Sequence, residues 1–228
     1  MSATTVGRRR IRESRFWQAY YRSRYAILFY ALLLTLLIMP VAATLGLPRN
    51  VIRFLLATCL LCAVMPSATK HSRVTVFTGT MLLVVARFAA DGGTLPFNPG
   101  FVLALVGVTG LVAAATALQF AVTTKTVDRE TIYAALDTYL LAGLFFGQIF
   151  WSLERLWPGS LVGPDPTTEV TSVYYSFITL ATLGYGDFVP RTDVARGLAM
   201  FEVIGGQLFL AVMVARLIGL FAPNEQLR

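Results

Sequence analysis

Charge is scarce in this 228-residue chain: Asp, Glu, Lys and Arg make up 14% of it, against about 25% in a soluble domain. Hydrophobic residues reach 56% and mean hydropathy is +0.67, so water is not the main solvent. Cysteine is limited to Cys59 and Cys62 and histidine to His71. The two cysteines have redox or zinc spacing. They lie inside an apolar run, however, with no second Cys or His pair to complete a tetrahedral site, and read as small packing residues. His71 cannot hold a metal alone, which leaves only a pH-sensing role open to it. There is no phosphate-cradling glycine loop, no pair of catalytic carboxylates and no nucleophile triad, so enzymatic chemistry and a bound cofactor are not expected.

The apolar residues run in long blocks. Six are near the ~20 residues that a hydrocarbon core requires: about 25 to 45, 50 to 66, 73 to 90, 99 to 122, 131 to 153 and 195 to 221. Gly46-Leu47-Pro48, Pro66-Ser67, Asp91-Gly92-Gly93 and Pro96 to Gly100 break them, by removing a backbone donor or raising backbone entropy. The second block is short. The first is too long for the apolar core of a cleaved signal and lacks a small-residue cleavage site, so it is expected to remain as a helix.

Lys and Arg set the expected orientation. Arg8, Arg9, Arg10, Arg12, Arg15, Arg22 and Arg24 precede the first block, Lys70 and Arg73 follow the second, and Lys125 and Arg129 follow the fourth. The alternate loops are poorer in cations. Both termini are therefore expected in the cytoplasm of a multi-pass cell-membrane protein. The +7 formal charge follows this membrane pattern, and nucleic acid is not an expected partner. Arg8 to Tyr25 interleaves Arg with Phe16, Trp17, Tyr20 and Tyr21. That mixture fits either an anionic-lipid contact or a plain inside anchor.

Between the fifth and sixth blocks stands Thr182-Leu183-Gly184-Tyr185-Gly186-Asp187. Consecutive carbonyls can face one axis only if the backbone leaves the β and α regions at alternate positions, which Gly184 and Gly186 permit without a Cβ clash. Four such strands would replace an ion's water shell with oxygens of Thr182, Leu183, Gly184 and Tyr185, the Thr182 hydroxyl forming the innermost ring. Irregular backbone at bilayer depth needs protein around it, so Glu154 to Val189 is expected to form a re-entrant loop. Pro158, Gly159, Gly163, Pro164 and Pro166 predict an extended outer turret. Thr167 or Thr168 can then cap a short helix reaching about Ala181.

The run Thr179-Leu180-Ala181-Thr182-Leu183-Gly184-Tyr185-Gly186-Asp187 resembles the potassium-channel signature. Its setting, over about residues 131 to 221, resembles the tetrameric two-helix pore module of that superfamily. Leu183 stands where the family usually has Val. The resemblance implies a pore helix whose C-terminus points at the ion path, with its negative dipole end favouring a cation. It also implies that Tyr174 and Tyr175 brace the filter, with Tyr185 and Asp187 as partners, against the alternative of interfacial anchoring. A glycine at the Gly206 spacing acts as a bend in the family; for Gly205 and Gly206 the other reading is close helix packing. Leu210, Val214 and Ile218 recur at four-residue steps and can form an apolar constriction.

Ionisable residues within apolar spans are functional suspects. Glu202, one turn before Gly206, can support the filter from behind, in a gating role or by a structural hydrogen bond. Arg87 is expected to pair locally with Asp91, four residues on. Asp137, near the inner edge, is expected to be solvated or paired. Phe101 to Val122 contains no Lys or Arg, so the fourth block cannot be a steep voltage sensor. The short Thr123 to Thr131 connection favours packing of the first four spans on their own subunit.

The expected architecture is all-α: six transmembrane helices with a re-entrant pore helix and filter between the fifth and sixth. A basic segment covers 1–24, a four-helix peripheral unit 25–125, a pore unit 126–222 and a tail 223–228. One pore loop cannot surround an ion, so a homotetramer is expected, conducting potassium passively. The alternatives are a weakly selective cation channel, which Leu183 would permit, and a transporter carrying the motif by chance.

Overall fold

The computed structural model describes residues 23–67, 73–91, 98–124 and 128–221, where the apolar runs become helices with well-defined caps. Helix α1 (Arg24–Thr44) stops where Gly46 takes φ +65°. The amides of Gly46 and Leu47 turn back onto the carbonyls of Ala43 and Ala42 at 3.2 and 3.0 Å, a Schellman closure. Helices α2 (Arg49–Ser67) and α3 (Arg73–Asp91) follow. Helix α4 (Pro99–Thr123) opens on Pro99, with the Asn98 side chain accepting from the Gly100 amide at 2.9 Å. Asp128 caps α5 (Arg129–Leu156) by accepting from the Thr131 hydroxyl at 2.7 Å and amide at 2.9 Å. Those bonds hold the Asp128 carboxyl below its ordinary pKa range. A short helix α6 (Glu169–Leu180) and a long one, α7 (Asp193–Phe221), are the last described helices. β1 (Leu161–Val162), before α6, pairs antiparallel with β2 (Val189–Pro190), after it.

Helices therefore form where six apolar blocks were expected, within a residue or two at most ends. Among the described residues, α1, α4, α5 and α7 are long and apolar enough to cross a membrane. In α2 and α3, each of 19 residues, the apolar stretches among the described side chains are Asn50–Val64 and Phe77–Ala90. The basic segment before Ser23, Lys70, His71, Lys125 and the tail 223–228 lie outside the described residues.

Small residues on α4 let it approach α5 closely. A Cβ on Gly110 would fall 2.0 Å from the Phe145 ring, and one on Gly107 would fall 2.5 Å from Ile149. Ala113, Ala114, Ala117 and Ala121 are buried on the same helix. With little hydrophobic driving force between helices in lipid, such close backbone approach supplies the packing energy. α4 thus lies along α5 of its own chain. Large apolar side chains such as Leu37, Phe54, Leu82 and Leu105 remain exposed on the outside.

Polar contacts sort the helix ends into two sets. At one end the Tyr25 amide donates to Glu130 Oε2 at 3.1 Å, Arg216 donates to the Thr124 carbonyl, and Arg24 stacks over Tyr25 and Phe120. At the other, Asn98 Nδ2 donates to the Arg155 carbonyl at 3.4 Å, and Gly46 and Leu47 share a crevice with Trp151 and Thr168. The start of α1, the end of α4, the start of α5 and Arg216 of α7 lie together. The α1–α2 turn and the start of α6 lie opposite. Cys59 is buried with its Sγ 3.0 Å from Thr35 Oγ1, as a packing residue would be.

Candidate functional site

Between α5 and α7 the chain builds a short helix and an irregular strand. Thr168, of the two expected candidates, caps α6: its hydroxyl accepts the Thr171 amide at 3.2 Å, and the Thr171 hydroxyl accepts the Thr168 amide at 2.7 Å. Thr167 instead donates to the Leu161 carbonyl. α6 presses against α5 where glycines remove the barrier. A Cβ on Gly143 would fall 2.5 Å from the Phe177 ring, and one on Gly147 would fall 2.6 Å from the Val173 Cα. This approach puts the Ser176 hydroxyl 2.7 Å from the Gly143 carbonyl and 2.5 Å from Glu202 Oε1. Ser176 has one proton for these two acceptors. Glu202 is fully buried, and its Oε2 has no hydrogen-bond partner.

After the C-cap Ala181, φ is +59° at Thr182, +54° at Gly184 and +78° at Gly186. Sequence reasoning located the two glycines and missed Thr182, the one positive-φ non-glycine residue among those described. The alternation turns the Leu183 and Gly184 amides back onto the Ile178 carbonyl, at 2.8 and 3.3 Å, while the Thr182 amide meets the Thr179 carbonyl at 2.9 Å. Among the described residues nothing donates to the carbonyls of Thr182, Leu183, Gly184 or Tyr185. The strand stands clear of its own chain, with Leu183 55% and Tyr185 67% exposed.

The Asp187 end of the strand is anchored. Tyr174 donates to Asp187 Oδ2 at 2.7 Å, and Phe188 is buried against Gly163 and edge-on to Tyr174. The strand pair β1–β2 and the Arg191 amide, 2.9 Å from the Ser160 carbonyl, close the turret. Glu154 accepts the Gly159 and Leu161 amides at 2.8 and 3.1 Å. Tyr175 is buried edge-on to Phe150, 4.8 Å between ring centres, and does not share the role of Tyr174.

On α7 the two adjacent glycines differ. A Cβ on Gly206 would lie 2.7 Å from the Leu180 carbonyl, whereas one on Gly205 would meet nothing within 4 Å. Gly206 is thus a close-contact point beneath the end of α6. Leu210 and Val214 are exposed; the Ile218 side chain lies outside the described ones. Gln207 is also exposed, and its position three residues before Leu210 and seven before Val214 puts it on their face. That spacing was available in the sequence, but a search for apolar repeats passes over a glutamine.

Arg87 meets a partner that the sequence reading did not name, Glu169, 82 positions on, Nη2 to Oε1 2.9 Å. The side chain of Asp91 lies outside the described ones. Asp137, expected to be solvated or paired, is fully buried, and neither carboxylate oxygen has a hydrogen-bond partner. It sits eight residues into α5, about 12 Å from the helix start, beyond the reach of the edge.

Residues 136–222 match a family model described as an ion channel. Over 97 residues the chain is 32% identical to two-pore potassium channel 4 of Arabidopsis thaliana, covering 42% of this chain and 33% of the relative. Over 75 residues it is 31% identical to YugO of Bacillus subtilis (strain 168), a protein named for a proposed potassium-channel role, covering 32% and 20%. The chain thus matches a third or less of the length of these relatives. No solved structure gives a significant match.

Proposed function

We propose that this chain is one subunit of a homotetrameric potassium-selective channel, a reading supported by the ion-channel family model over residues 136–222 and by the similarity to two proteins named as potassium channels. The observation that carries the reading is the alternation of positive φ at Thr182, Gly184 and Gly186 beside carbonyls that no donor of the chain occupies. One strand offers oxygens on one side only. Four around an axis make the rings that replace potassium's water shell, through Thr182, Leu183, Gly184 and Tyr185. Several adjacent sites keep each binding step weak enough for exit, so transport is passive, with no cofactor and no covalent step. The end of α6, its negative dipole end beneath the strand, favours the cation.

In this reading all six long helices cross the membrane, α2 and α3 tilted or shielded by neighbours, and α6 with its strand is re-entrant. The end carrying Tyr25, Thr124 and Arg216 faces the cytoplasm, and Asp187 faces outside. Gln207, Leu210, Val214 and Ile218 line the cavity, and Gly205 and Gly206 allow α7 to bend. With no Lys or Arg between Phe101 and Val122, gating is not steeply voltage-dependent.

Purified protein in liposomes tests this. Potassium efflux should exceed sodium efflux by about a hundredfold under matched gradients, a ratio equivalent to about 2.7 kcal/mol of discrimination. Equal fluxes would leave a nonselective cation pore. No flux of either ion from a cross-linkable tetramer would overturn conduction itself.

A further inference from the structure

The peripheral helices and the helix beneath the filter meet at a charged point. Arg87, one turn before the end of α3, places its guanidinium Nη2 2.9 Å from Glu169 Oε1, and the two side chains are only 9% and 13% exposed. Glu169 is the first residue of α6, where a carboxylate also complements the helix dipole. At the opposite end of this 12-residue helix, the Ile178 carbonyl receives the Leu183 and Gly184 amides.

A helix of that length spans about 18 Å. It is closed by the capping box at Thr168 and wedged against Gly143 and Gly147, so it moves as one piece. A displacement at Glu169 is therefore also a displacement at the filter backbone. An ion pair is a poor choice if α3 only needs to stick: apolar residues of the same size hold two elements together at least as well when buried. What a buried pair adds is a single geometry, with a steep penalty for separation.

We propose that Arg87 and Glu169 are positioning residues forming a latch, through which the four-helix unit sets the pose of the pore helix and so gates conduction at the selectivity filter. The inference deepens the channel reading and rests on it. A stimulus acting on α1–α4 reaches the ion path through the first turn of α6, without passing along the α4–α5 connection.

The test uses the full chain in planar bilayers under symmetrical potassium, with Glu169→Gln, Arg87→Gln and the exchange of Arg87→Glu with Glu169→Arg. Each single change should shift open probability about fivefold or more, the range of coupling between packed groups. Unitary conductance and the potassium-to-sodium permeability ratio should stay native. The exchange should return open probability to within about twofold of native. A pair that only holds the fold would lower tetramer yield or melting temperature while surviving channels gate as native does, and that result overturns the latch. So does an exchange no better than the singles. Glu169→Gln keeps size and shape, so it reports even if Arg87→Gln fails to fold. Native protein that conducts while Glu169→Gln gates normally refutes the latch alone; native protein that carries no potassium refutes the channel reading and the latch with it.

Discussion

Helices α5 and α7 flank the same short helix, yet one chain treats them differently. In α5, 56% of the most apolar window is buried within the chain; in α7 only 17% is, although α7 has the higher hydropathy, 2.0 against 1.3. α5 is packed by α4 on one side and α6 on another, through Gly107, Gly110, Gly143 and Gly147. α7 touches its own chain along a narrow line through Glu202, Gly206 and Met213, and leaves Met200, Phe201, Ile204 and Leu208 open. The exposed strand from Thr182 to Gly186 sides with α7. An apolar helix left bare next to carbonyls left bare is the surface that the proposed tetramer and its lipid would cover.

The largest expected effect lies on the open side. Gly184→Ala adds a side chain where nothing of the same chain is within 4 Å, so a monomer suffers only the left-handed backbone penalty at φ +54°, about 1–2 kcal/mol per residue. In four strands around one axis that strain distorts every ring of oxygens. Potassium flux from liposomes should fall at least about tenfold. Unchanged flux would mean that the bare strand is not the ion path.

Next comes the line where α7 is buried. Glu202→Ala removes the partner of Ser176 and empties a fully buried volume, and should destabilise the protein by about 2–4 kcal/mol per chain. Glu202→Gln should cost under about 1 kcal/mol, because its amide can donate to Ser176 while Ser176 donates to Gly143. Thermal unfolding in detergent compares the two. A large loss for Gln would show that Ser176 donates to a charged carboxylate instead.

The smallest effects sharpen the boundary itself. Gly206→Ala drives a Cβ to 2.7 Å from the Leu180 carbonyl, and should cost about 1–3 kcal/mol. Gly205→Ala, one residue away with open space around it, should raise stability by up to about 1 kcal/mol through helix propensity. Melting temperatures of both variants test this. A loss at Gly205 would place a neighbouring chain against that face.

The existence of the helices was legible because a run of apolar residues in lipid must satisfy its backbone internally. Thr168 was one of the two caps read from the sequence, whereas Asn98 and Asp128, one and three residues before the expected starts, were not read as caps. The positive φ at Gly184 and Gly186 was legible too, since two glycines two residues apart beside a short capped helix leave few alternatives, whereas that at Thr182 was not. What escaped were contacts between distant positions. Arg87 was read only against the nearest acidic residue on its helix face, and its contact with Glu169 was not foreseen. Asp137 looked close to an edge, but α5 begins far enough before it to carry it into the interior. Tyr174 and Tyr175 looked equivalent, yet consecutive residues on a helix diverge by about 100°, so one meets Asp187 and the other Phe150.

By itself the sequence determined the solvent, the helices and the carbonyl strand, because each depends on residues within a few positions of one another. Tertiary structure alone decided that Ser176 joins Gly143 to Glu202, that Gly206 rather than Gly205 meets Leu180, and that a charge on α3 holds the first turn of α6. Those choices depend on how helices rotate and approach when packed. Rotation and approach are fixed by the small residues of several segments at once, which no local pattern contains.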